Sequence, residues 1–303
     1  MRTSEALVFD IKRFAVHDGD GLRTTVFFKG CPLRCRWCQN PEGLEALRQP
    51  VYLKKQCIGC GRCVKASTDG QVTWDQGPVL HREKGDFEAV ADACPAGAIR
   101  YDSQPYSLEQ LMEQIRSDEV FFRHGGGVTF SGGEPLMQGE FLKDILRSCK
   151  EEGLHTAIES SFYGDPDLVK AIAPDLDRIF ADMKVFDEKD HEKCTGVNNA
   201  RIKENIAWLL SSPEHRDKVI IRTPLIPGYT ATEENVGAIA RWITSLYPDV
   251  KYELLNYNPL AESKYEMTGK TYGLGRHKLF TKEEMDRFKA AAKTNGIRNL
   301  IEE

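Results

Sequence analysis

The sequence contains no stretch of about 18 consecutive apolar residues, the length that a membrane-spanning helix requires. It also contains no run of five basic residues, and its net charge at pH 7 is -5, so nucleic acid is not expected as a partner. The stretch MRTSEALVFDIKRF is interrupted by Asp10, Lys12 and Arg13, and we therefore expect neither a signal peptide nor a membrane anchor. The expectation is a cytoplasmic protein, in which clustered thiols are more typical of metal binding than of disulfides.

Alternating strand and helix patterns fill most of the 303 residues. The segment SLEQLMEQIRS, for example, predicts a helix that begins with Ser107 and Gln110 at the spacing of a capping box. Six short apolar runs predict strands: TTVFFKG, GVTFSG, HTAIES, RIFADMKVF, KVIIRTPLI and KYELLNYN. Such alternation predicts a parallel α/β sheet, either doubly wound or a partial barrel, whose chemistry lies at the carboxyl ends of the strands.

Nine cysteines are present, and seven of them precede residue 95. The stretch KGCPLRCRWCQNPEG holds Cys31, Cys35 and Cys38 at C-x3-C-x2-C spacing. An odd set suits neither a four-ligand zinc ribbon nor a disulfide framework. Three thiolates can hold a four-iron, four-sulfur cluster and leave one iron open to a substrate. The spacing therefore favours an open iron-sulfur site, with a structural zinc site or a chance trio as the alternatives.

Residues 51–100 interrupt the alternation of strands and helices. They contain four more cysteines and several glycines but few long apolar runs. A segment of about 50 residues buries little core, and a bound metal can supply the missing stability. We therefore divide the chain into a first part of the α/β domain at 1–50, a small metal-stabilised insertion at 51–100, and the remainder of the α/β domain at 101–303.

The insertion carries part of a bacterial ferredoxin pattern. CIGCGRC is C-x2-C-x2-C, but Ser67 stands where the next cysteine of the ferredoxin run would be, and the second run keeps only Cys94 before Pro95. In two-cluster ferredoxins the last cysteine of each run ligates the other cluster, so Cys94 would complete the set of the first run. One auxiliary cluster is thus expected, on Cys57, Cys60, Cys63 and Cys94. A zinc knuckle on the same four thiols is the alternative.

With its C-x3-C-x2-C trio the chain resembles the radical S-adenosylmethionine (SAM) superfamily. Over nearly its whole length it is similar to the glycyl radical enzyme activating enzymes, of the pyruvate formate-lyase activating enzyme-like type with a ferredoxin insert. Five motifs match in order: FAVHDGDGLRTTVFFKGCPLRCRWCQNPEG, TFSGGEPLMQ, ADMK, IRTPLIPGYT and LLNYNPLAESKYE. The chain departs from the usual family pattern at Asp20, where the family has proline, and at Asn258, where it often has histidine.

The resemblance implies a partial (β/α)6 radical SAM barrel with a small ferredoxin-like iron-sulfur insertion. It implies two [4Fe-4S] clusters, one that binds SAM and one auxiliary. Reductive cleavage of SAM would then release methionine and a 5'-deoxyadenosyl radical, which abstracts hydrogen from a glycine of a partner glycyl radical enzyme. A flavodoxin or a ferredoxin-type protein is the expected electron donor. The alternatives are a radical SAM enzyme with a small-molecule substrate and an electron-transfer or metal-binding module, which would explain the insertion alone.

The resemblance also assigns SAM-binding residues at the strand ends. Glu134 is expected to accept hydrogen bonds from the methionyl amino group, beside Ser131, Gly132 and Gly133, whose backbone can approach a ligand closely. The alternative for this motif is a plain strand-to-helix turn.

Further along the chain, Lys184 is expected to pair with the methionyl carboxylate. Asp182 and the Glu159–Ser160 pair would hold the ribose or a small cation, and Arg222 would lie near the sulfonium or the ribose. The alternatives are solvated polar side chains and, for Arg222, an ordinary salt bridge.

Two loops complete the expected site. The resemblance places Trp37 and Gln39 over the cluster and along the adenine, with Asn258 as a further adenine contact; simple packing is the alternative for Trp37. The stretch AVHDGDGLR is expected to line the barrel mouth, where Asp18 could hydrogen-bond the backbone of an inserted glycine loop. A surface turn is the alternative for Asp18.

Overall fold

The computed structural model describes residues 5–275 and 277–302. In this part of the chain the strands are β1 (Glu5–Ala15), β2 (Arg23–Phe28), β3 (Pro50–Tyr52), β4 (Val72–Trp74), β5 (Pro78–Leu80), β6 (Ile99–Tyr101), β7 (Gln104–Ser107), β8 (Gly127–Gly132), β9 (Thr156–Ser160), β10 (Arg178–Asp182), β11 (Val219–Pro224), β12 (Lys251–Leu255) and β13 (Asn299–Ile301). The α-helices are α1 (Arg62–Ala66), α2 (Glu88–Asp92), α3 (Leu108–Arg116), α4 (Glu140–Glu151), α5 (Pro166–Ile172), α6 (Glu188–Thr195), α7 (Ala200–Ser211), α8 (Glu233–Leu246), α9 (Glu262–Thr268) and α10 (Lys282–Thr294). None of the described helices is both long and apolar enough to cross a membrane.

A nine-stranded sheet organises the chain, in the order β13-β12-β11-β10-β9-β8-β2-β1-β7. The six strands predicted from the sequence, β2 and β8 to β12, are consecutive parallel neighbours in this sheet. Helices connect the strands from β8 onward, as crossovers between parallel strands require. The prediction of a partial α/β barrel is therefore confirmed, and the carboxyl ends of its six strands lie at one edge of the sheet.

Three strands of the large sheet were not predicted. β1 and β7 add to the β2 edge in antiparallel pairing, and β13 adds to β12 in parallel. In β1 the alternation is weak, because Ala6 and Val8 are buried while Leu7 and Phe9 on the other face are also apolar. β7 contains Pro105, which is tolerated at a sheet edge but reads as a strand breaker in sequence.

The two faces of the sheet differ in character. Alternate residues such as Val26, Phe28 and Phe130 are completely buried in the core that the sheet shares with the surrounding helices. Burying such a side chain stabilises the fold by about 1.5–3 kcal/mol, so Phe130→Ala would remove about 3–5 kcal/mol. On the opposite face Ala157, Phe180 and Ile220 form a small cluster. The polar residues of the candidate site share that second face.

Helix α3 shows why local sequence fixes an element boundary. The Ser107 hydroxyl accepts a hydrogen bond from the Gln110 amide, and the Gln110 side chain accepts one from the Ser107 amide, which confirms the predicted capping box. Leu111, Met112 and Ile115 then occupy one buried stripe.

Between β3 and β6 the chain forms a small unit in the order β-α-β-β-α-β. β3 pairs with β6, and β4 pairs with β5, both antiparallel. Its core consists of five side chains: Cys63, Val72, Phe87, Val90 and Ile99. A core of this size supplies little stability by itself, so the division of the chain at 51–100 as a metal-stabilised unit stays a prediction with a physical basis.

Candidate functional site

A cavity of about 310 Å³ opens at the carboxyl ends of the parallel strands. Its lining joins the cysteine loop after β2 to polar side chains at the ends of β8 to β11 and in the loop after β12. Among the residues predicted for this site, those that line it are Cys31, Cys35, Cys38, Trp37, Gln39, Ser131, Gly132, Gly133, Glu159, Ser160, Asp182, Lys184, Arg222 and Asn258. Its volume is that of a small-molecule site.

The cysteine loop is held by backbone hydrogen bonds at both ends. The Gly30 amide donates to the Gly43 carbonyl at 2.8 Å, and the Cys31 amide donates to the Leu44 carbonyl at 3.1 Å. In the middle of the loop, the Arg34 amide donates to the carbonyl of Thr195 at the end of α6, at 2.6 Å. These hydrogen bonds fix the position of the loop against the rest of the barrel.

Trp37 contributes to that shape. Its side chain is only 4% exposed and its ring lies 5.6 Å from that of Tyr229. It packs with Val185, Ile226 and Tyr257 in a second apolar cluster. Because Trp37 both packs and lines the cavity, the packing alternative and the proposed adenine contact are compatible.

Burial controls the protonation of the three thiols. It raises the pKa of Cys35 to about 12, against the opposing charge of Lys184, and it also raises the pKa of Cys31 and Cys38. Thiols of this kind are neutral in the chain alone and lose their protons when a metal binds them. The donor set thus fits a cluster that is taken up with release of protons.

Gly132 and Gly133 serve a purpose that the sequence did not reveal. A Cβ on Gly132 would lie 2.2 Å from the Phe28 carbonyl oxygen, and one on Gly133 would lie 2.3 Å from the carbonyl oxygens of Gly30 and Gly43. These distances are far below van der Waals contact, so the glycines let the end of β8 pack against the base of the cysteine loop. Room for a ligand is a second effect of the same close approach.

Glu134 lies behind the cavity wall and is not among the lining residues. Its carboxylate, 1% exposed, accepts hydrogen bonds from the Ser160 hydroxyl at 2.6 Å, from the Ser161 amide at 2.9 Å and from the Leu136 amide at 3.2 Å. Its pKa is nevertheless raised, because burial outweighs these hydrogen bonds. The expected contact between this carboxylate and an ammonium group stays a prediction, while the observed contacts join β8 to β9.

A charged network crosses the ends of β9 to β11. Arg222 donates to Glu159 Oε1 at 2.9 Å, Lys184 donates to Asp182 Oδ2 at 2.7 Å, and Ser131 donates to Glu159 Oε2 at 2.7 Å. Burial works against the charge of Asp182, but Lys184 and Arg222 together hold the pKa of this carboxyl below its usual value. Asp182 is therefore ionised at neutral pH beside these two cations.

Two buried polar atoms of this network lack a hydrogen-bond partner among the described residues. They are Asp182 Oδ1 and Arg222 Nε, which lie 3.6 Å apart, too far for a good hydrogen bond. Buried polar groups are almost always paired in folded proteins, so these atoms are suited to a polar ligand in the cavity. The contact that the sequence predicts between these two residues and a ribose stays a prediction.

The four cysteines of the insertion line a second, small apolar cavity together with Ile58 and Trp74. Cys63 is buried and Cys60 is exposed. As the side chains of the described residues stand, no group of three or more His, Cys, Asp or Glu converges on one point as the ligands of a single metal ion do. A single zinc ion draws its ligands to one point at about 2.3 Å, whereas each thiolate of a four-iron cluster binds a separate iron.

The loop with Asp18 lies apart from this cavity. It precedes the amino end of β2, and Asp20 pairs with Arg178, the first residue of β10, at 2.7 Å. The Asp18 carboxylate accepts a 2.6 Å hydrogen bond from Thr25. The loop therefore crosses the amino ends of the parallel strands, and Asp18 does not line the cavity at their carboxyl ends.

Some lining residues were not predicted. Ser161, Asn256 and the apolar residues Leu33 and Ile226 also line the cavity. Ser161 directly follows the predicted Glu159–Ser160 pair, so a strand end one residue longer would have included it. The apolar residues carry no chemical signal in sequence.

Comparison with known proteins agrees with this geometry. The Radical SAM superfamily matches residues 25–243. The chain is 37% identical over 283 residues to the isethionate sulfite-lyase activating enzyme of Desulfovibrio desulfuricans, covering 91% of this chain and 90% of that one. It is 37% identical over 279 residues to the 4-hydroxyphenylacetate decarboxylase activating enzyme of Clostridioides difficile, covering 88% and 87%.

A solved structure supports the fold alone. Streptococcus suis SuiB bound to precursor peptide SuiA has a TM-score of 0.54 and 13% identity, and the match covers 90% of this chain and 46% of SuiB. The chain belongs to the radical SAM superfamily and, within it, to the activating enzymes of glycyl radical enzymes. It is an enzyme, and the family implies a [4Fe-4S] cluster and SAM.

Proposed function

We propose that the chain binds SAM in the cavity at the carboxyl ends of the strands and activates a partner glycyl radical enzyme by abstracting hydrogen from one of its glycines. The observation that carries the proposal is a single cavity that joins Cys31, Cys35 and Cys38 to the ionised Lys184–Asp182 pair. Cys31, Cys35 and Cys38 would hold the cluster, which would supply the electron for reductive cleavage of the carbon–sulfur bond of SAM, with methionine as the leaving group and a 5'-deoxyadenosyl radical as the species that takes the glycine hydrogen.

The chain's own residues would bind and orient SAM. Lys184 offers a cation to the methionyl carboxylate, and the unpaired atoms of Asp182 and Arg222 offer partners to the ribose. Gln39 donates to the Asn258 carbonyl at 3.0 Å, and this contact joins the two loops assigned to the adenine. The proposed set of SAM-binding residues is completed by Trp37, Ser131, Gly132, Gly133, Glu134, Glu159 and Ser160.

The second part of the proposal is one auxiliary [4Fe-4S] cluster in the insertion. The structure supports it by bringing Cys57, Cys60, Cys63 and Cys94 to one cavity although Cys94 is far from the others in sequence. Ser67 is the residue that replaces the next ferredoxin cysteine. A zinc ion on the same four thiols is the competing occupant.

The remaining partners are proposed from the family. The relatives are named as activating enzymes of isethionate sulfite-lyase and 4-hydroxyphenylacetate decarboxylase, so the protein substrate is a glycyl radical enzyme. A flavodoxin or ferredoxin-type protein would supply the electron, and the setting would be the cytoplasm.

Isotope transfer tests the function directly. The reduced enzyme, reconstituted without oxygen, is mixed with SAM and a partner carrying deuterium on the α-carbon of its glycines. We expect deuterium in 5'-deoxyadenosine and a glycyl doublet in electron paramagnetic resonance (EPR). The contrary result is transfer of deuterium to 5'-deoxyadenosine only from a small metabolite, with no protein radical on any glycyl radical partner. That result would favour the alternative of a radical SAM enzyme with a small-molecule substrate.

A further inference from the structure

A buried ion pair joins the residue that follows the insertion to the base of the cysteine loop. The Lys29 ammonium lies 2.7 Å from Asp102 Oδ2, and the two side chains are 0% and 2% exposed. Lys29 stands two residues before Cys31, and Asp102 follows directly after β6, the last strand of the insertion. Neither residue is one of the cysteines expected to bind a cluster, and neither lines the cavity of the candidate site.

The pair closes the loop at its beginning, middle and end. Lys29 also donates to the carbonyl oxygen of Glu42, at 2.6 Å, in the turn that follows the third cysteine. Asp102 Oδ1 accepts from the Gln49 amide at 3.0 Å, and the Asp102 amide donates to the Gln49 carbonyl at 2.9 Å. One pair of opposite charges therefore joins Lys29, at the start of the segment from 29 to 49, to two further points of it, Glu42 and Gln49, and this segment carries all three cluster cysteines.

Such a pair is an unusual choice for stability alone. Taking an ammonium and a carboxylate out of water is costly, and apolar residues of similar volume often stabilise a core equally well. Here each charge also forms one hydrogen bond to a backbone group of the loop, Lys29 to the Glu42 carbonyl and Asp102 to the Gln49 amide. These backbone contacts are directional, and apolar side chains cannot reproduce them.

We propose that Lys29 and Asp102 are positioning residues through which the chain segment directly after the insertion holds the three-cysteine loop in the geometry that binds SAM. The proposal rests on the function proposed above for the loop and the cavity. It gives the junction between the insertion and the barrel a part in SAM binding that depends on Asp102 and not on an auxiliary cluster.

Hydrogen exchange of the full chain without clusters tests the loop directly. In Lys29→Met and Asp102→Asn we expect the Gly30 and Cys31 amides to exchange roughly 10-fold faster or more, the effect of losing one hydrogen bond to a charged group. Peptides covering 30–36 and 40–49 report this change. In the reconstituted enzymes, the EPR spectrum of the reduced cluster should also change less on addition of SAM than in the wild type.

The double variant Lys29→Met/Asp102→Leu separates positioning from stability. Replacing both charges should restore Tm toward the wild-type value, while loop exchange stays fast and the EPR response to SAM stays weak. Full recovery of slow loop exchange in the double variant would overturn the proposal.

Arg82→Met is the matched control. Arg82 also ties the insertion to the barrel, since it donates to the carbonyl oxygens of Pro50 at 3.0 Å and of Met267 at 3.4 Å, but it does not contact the loop. In Arg82→Met we expect the rate of loop exchange and the EPR response to SAM to remain as in the wild type. If Arg82→Met instead speeds loop exchange and weakens the EPR response as much as Lys29→Met does, any loosening of the insertion is sufficient, and a specific role for the ion pair is refuted. If wild-type enzyme failed to bind SAM, the proposed function would fail, whereas the exchange measurement would still test the loop.

Discussion

The Asp182 carboxylate lies between two cations: 2.7 Å from the Lys184 ammonium and 3.6 Å from Arg222 Nε. The side chains of Asp182, Lys184 and Arg222 are 22%, 13% and 12% exposed, so water screens these charges only weakly. Asp182 is the carboxylate partner of Lys184, whereas Arg222 also pairs with Glu159 at 2.9 Å.

Asp182→Asn should therefore weaken SAM binding. The change removes the carboxylate partner of Lys184 and one negative charge near Arg222, which keeps Glu159, beside a ligand that carries a sulfonium. We expect Kd for SAM to rise roughly 10-fold or more, equivalent to one hydrogen bond to a charged group, in calorimetry of the reconstituted enzyme. Asp249→Asn, at an exposed carboxylate 3.9 Å from Arg298, should leave Kd unchanged. Equal Kd values for wild type and Asp182→Asn would remove Asp182 from the site.

The two cysteine sets should be separable. We expect about eight irons per chain after anaerobic reconstitution, from two four-iron clusters. Cys35→Ala should abolish reductive cleavage of SAM, whereas Cys94→Ala should remove the auxiliary cluster and leave the spectrum of the SAM-binding cluster largely intact. Iron and sulfide analysis with EPR decides the outcome: about four irons with bound zinc would indicate the zinc knuckle.

Gly133→Ala should disturb the cysteine loop. The added methyl group would meet two backbone carbonyl oxygens at 2.3 Å, and backbone cannot move aside as a flexible side chain can. We expect the free energy of unfolding to fall by about 1–3 kcal/mol or more, with lower iron content. Gly273→Ala is the matched control, because its Cβ would meet nothing within 4 Å. Normal iron content in Gly133→Ala would mean that the loop can shift to accept the methyl group.

Stability should fall as the pH drops below the ordinary histidine pKa of 6.5. Burial lowers the pKa of His155, His191 and His215 in the folded chain, so the unfolded chain binds more protons between 6.5 and the folded values. Their stabilising effect is complete above pH 6.5 and is lost as the pH falls through the folded pKa values. Urea unfolding of the cluster-free chain at pH 7.5, 6.5 and 5.5 measures this slope. His191→Gln should reduce the dependence of the free energy of unfolding on pH, because it removes a histidine whose Nε2 atom is buried without a partner in the described chain. A pH dependence equal to that of the wild type would contradict a contribution from His191.

Asp18→Ala tests the expected partner contact. Asp18 already accepts a hydrogen bond from Thr25, at the end of the barrel away from the cysteines. If Asp18 contacts the partner, the variant should bind SAM normally and give a weaker glycyl radical signal with the partner. An unchanged radical yield would support the surface-turn alternative.

The parallel core of the fold could be predicted from sequence because each of its strands is a short apolar run followed by a helix signal. β1 could not, since both of its faces carry apolar residues near its start, and β13 has only three residues. The site followed from motifs that fall at strand ends. The position of Glu134 behind the wall could not be predicted, because it depends on Ser160 and Ser161, which are distant in sequence and reach it only through strand pairing.

The antiparallel pairing of β3 with β6 has a further consequence. Pro50 and Tyr101 are register partners, so the chain enters and leaves the insertion at the same place on the barrel. Cutting the chain there would leave two ends close enough to be joined by a tight turn. Small domains of different size, or with a different number of cysteines, could therefore be exchanged at this point without altering the order of strands in the large sheet.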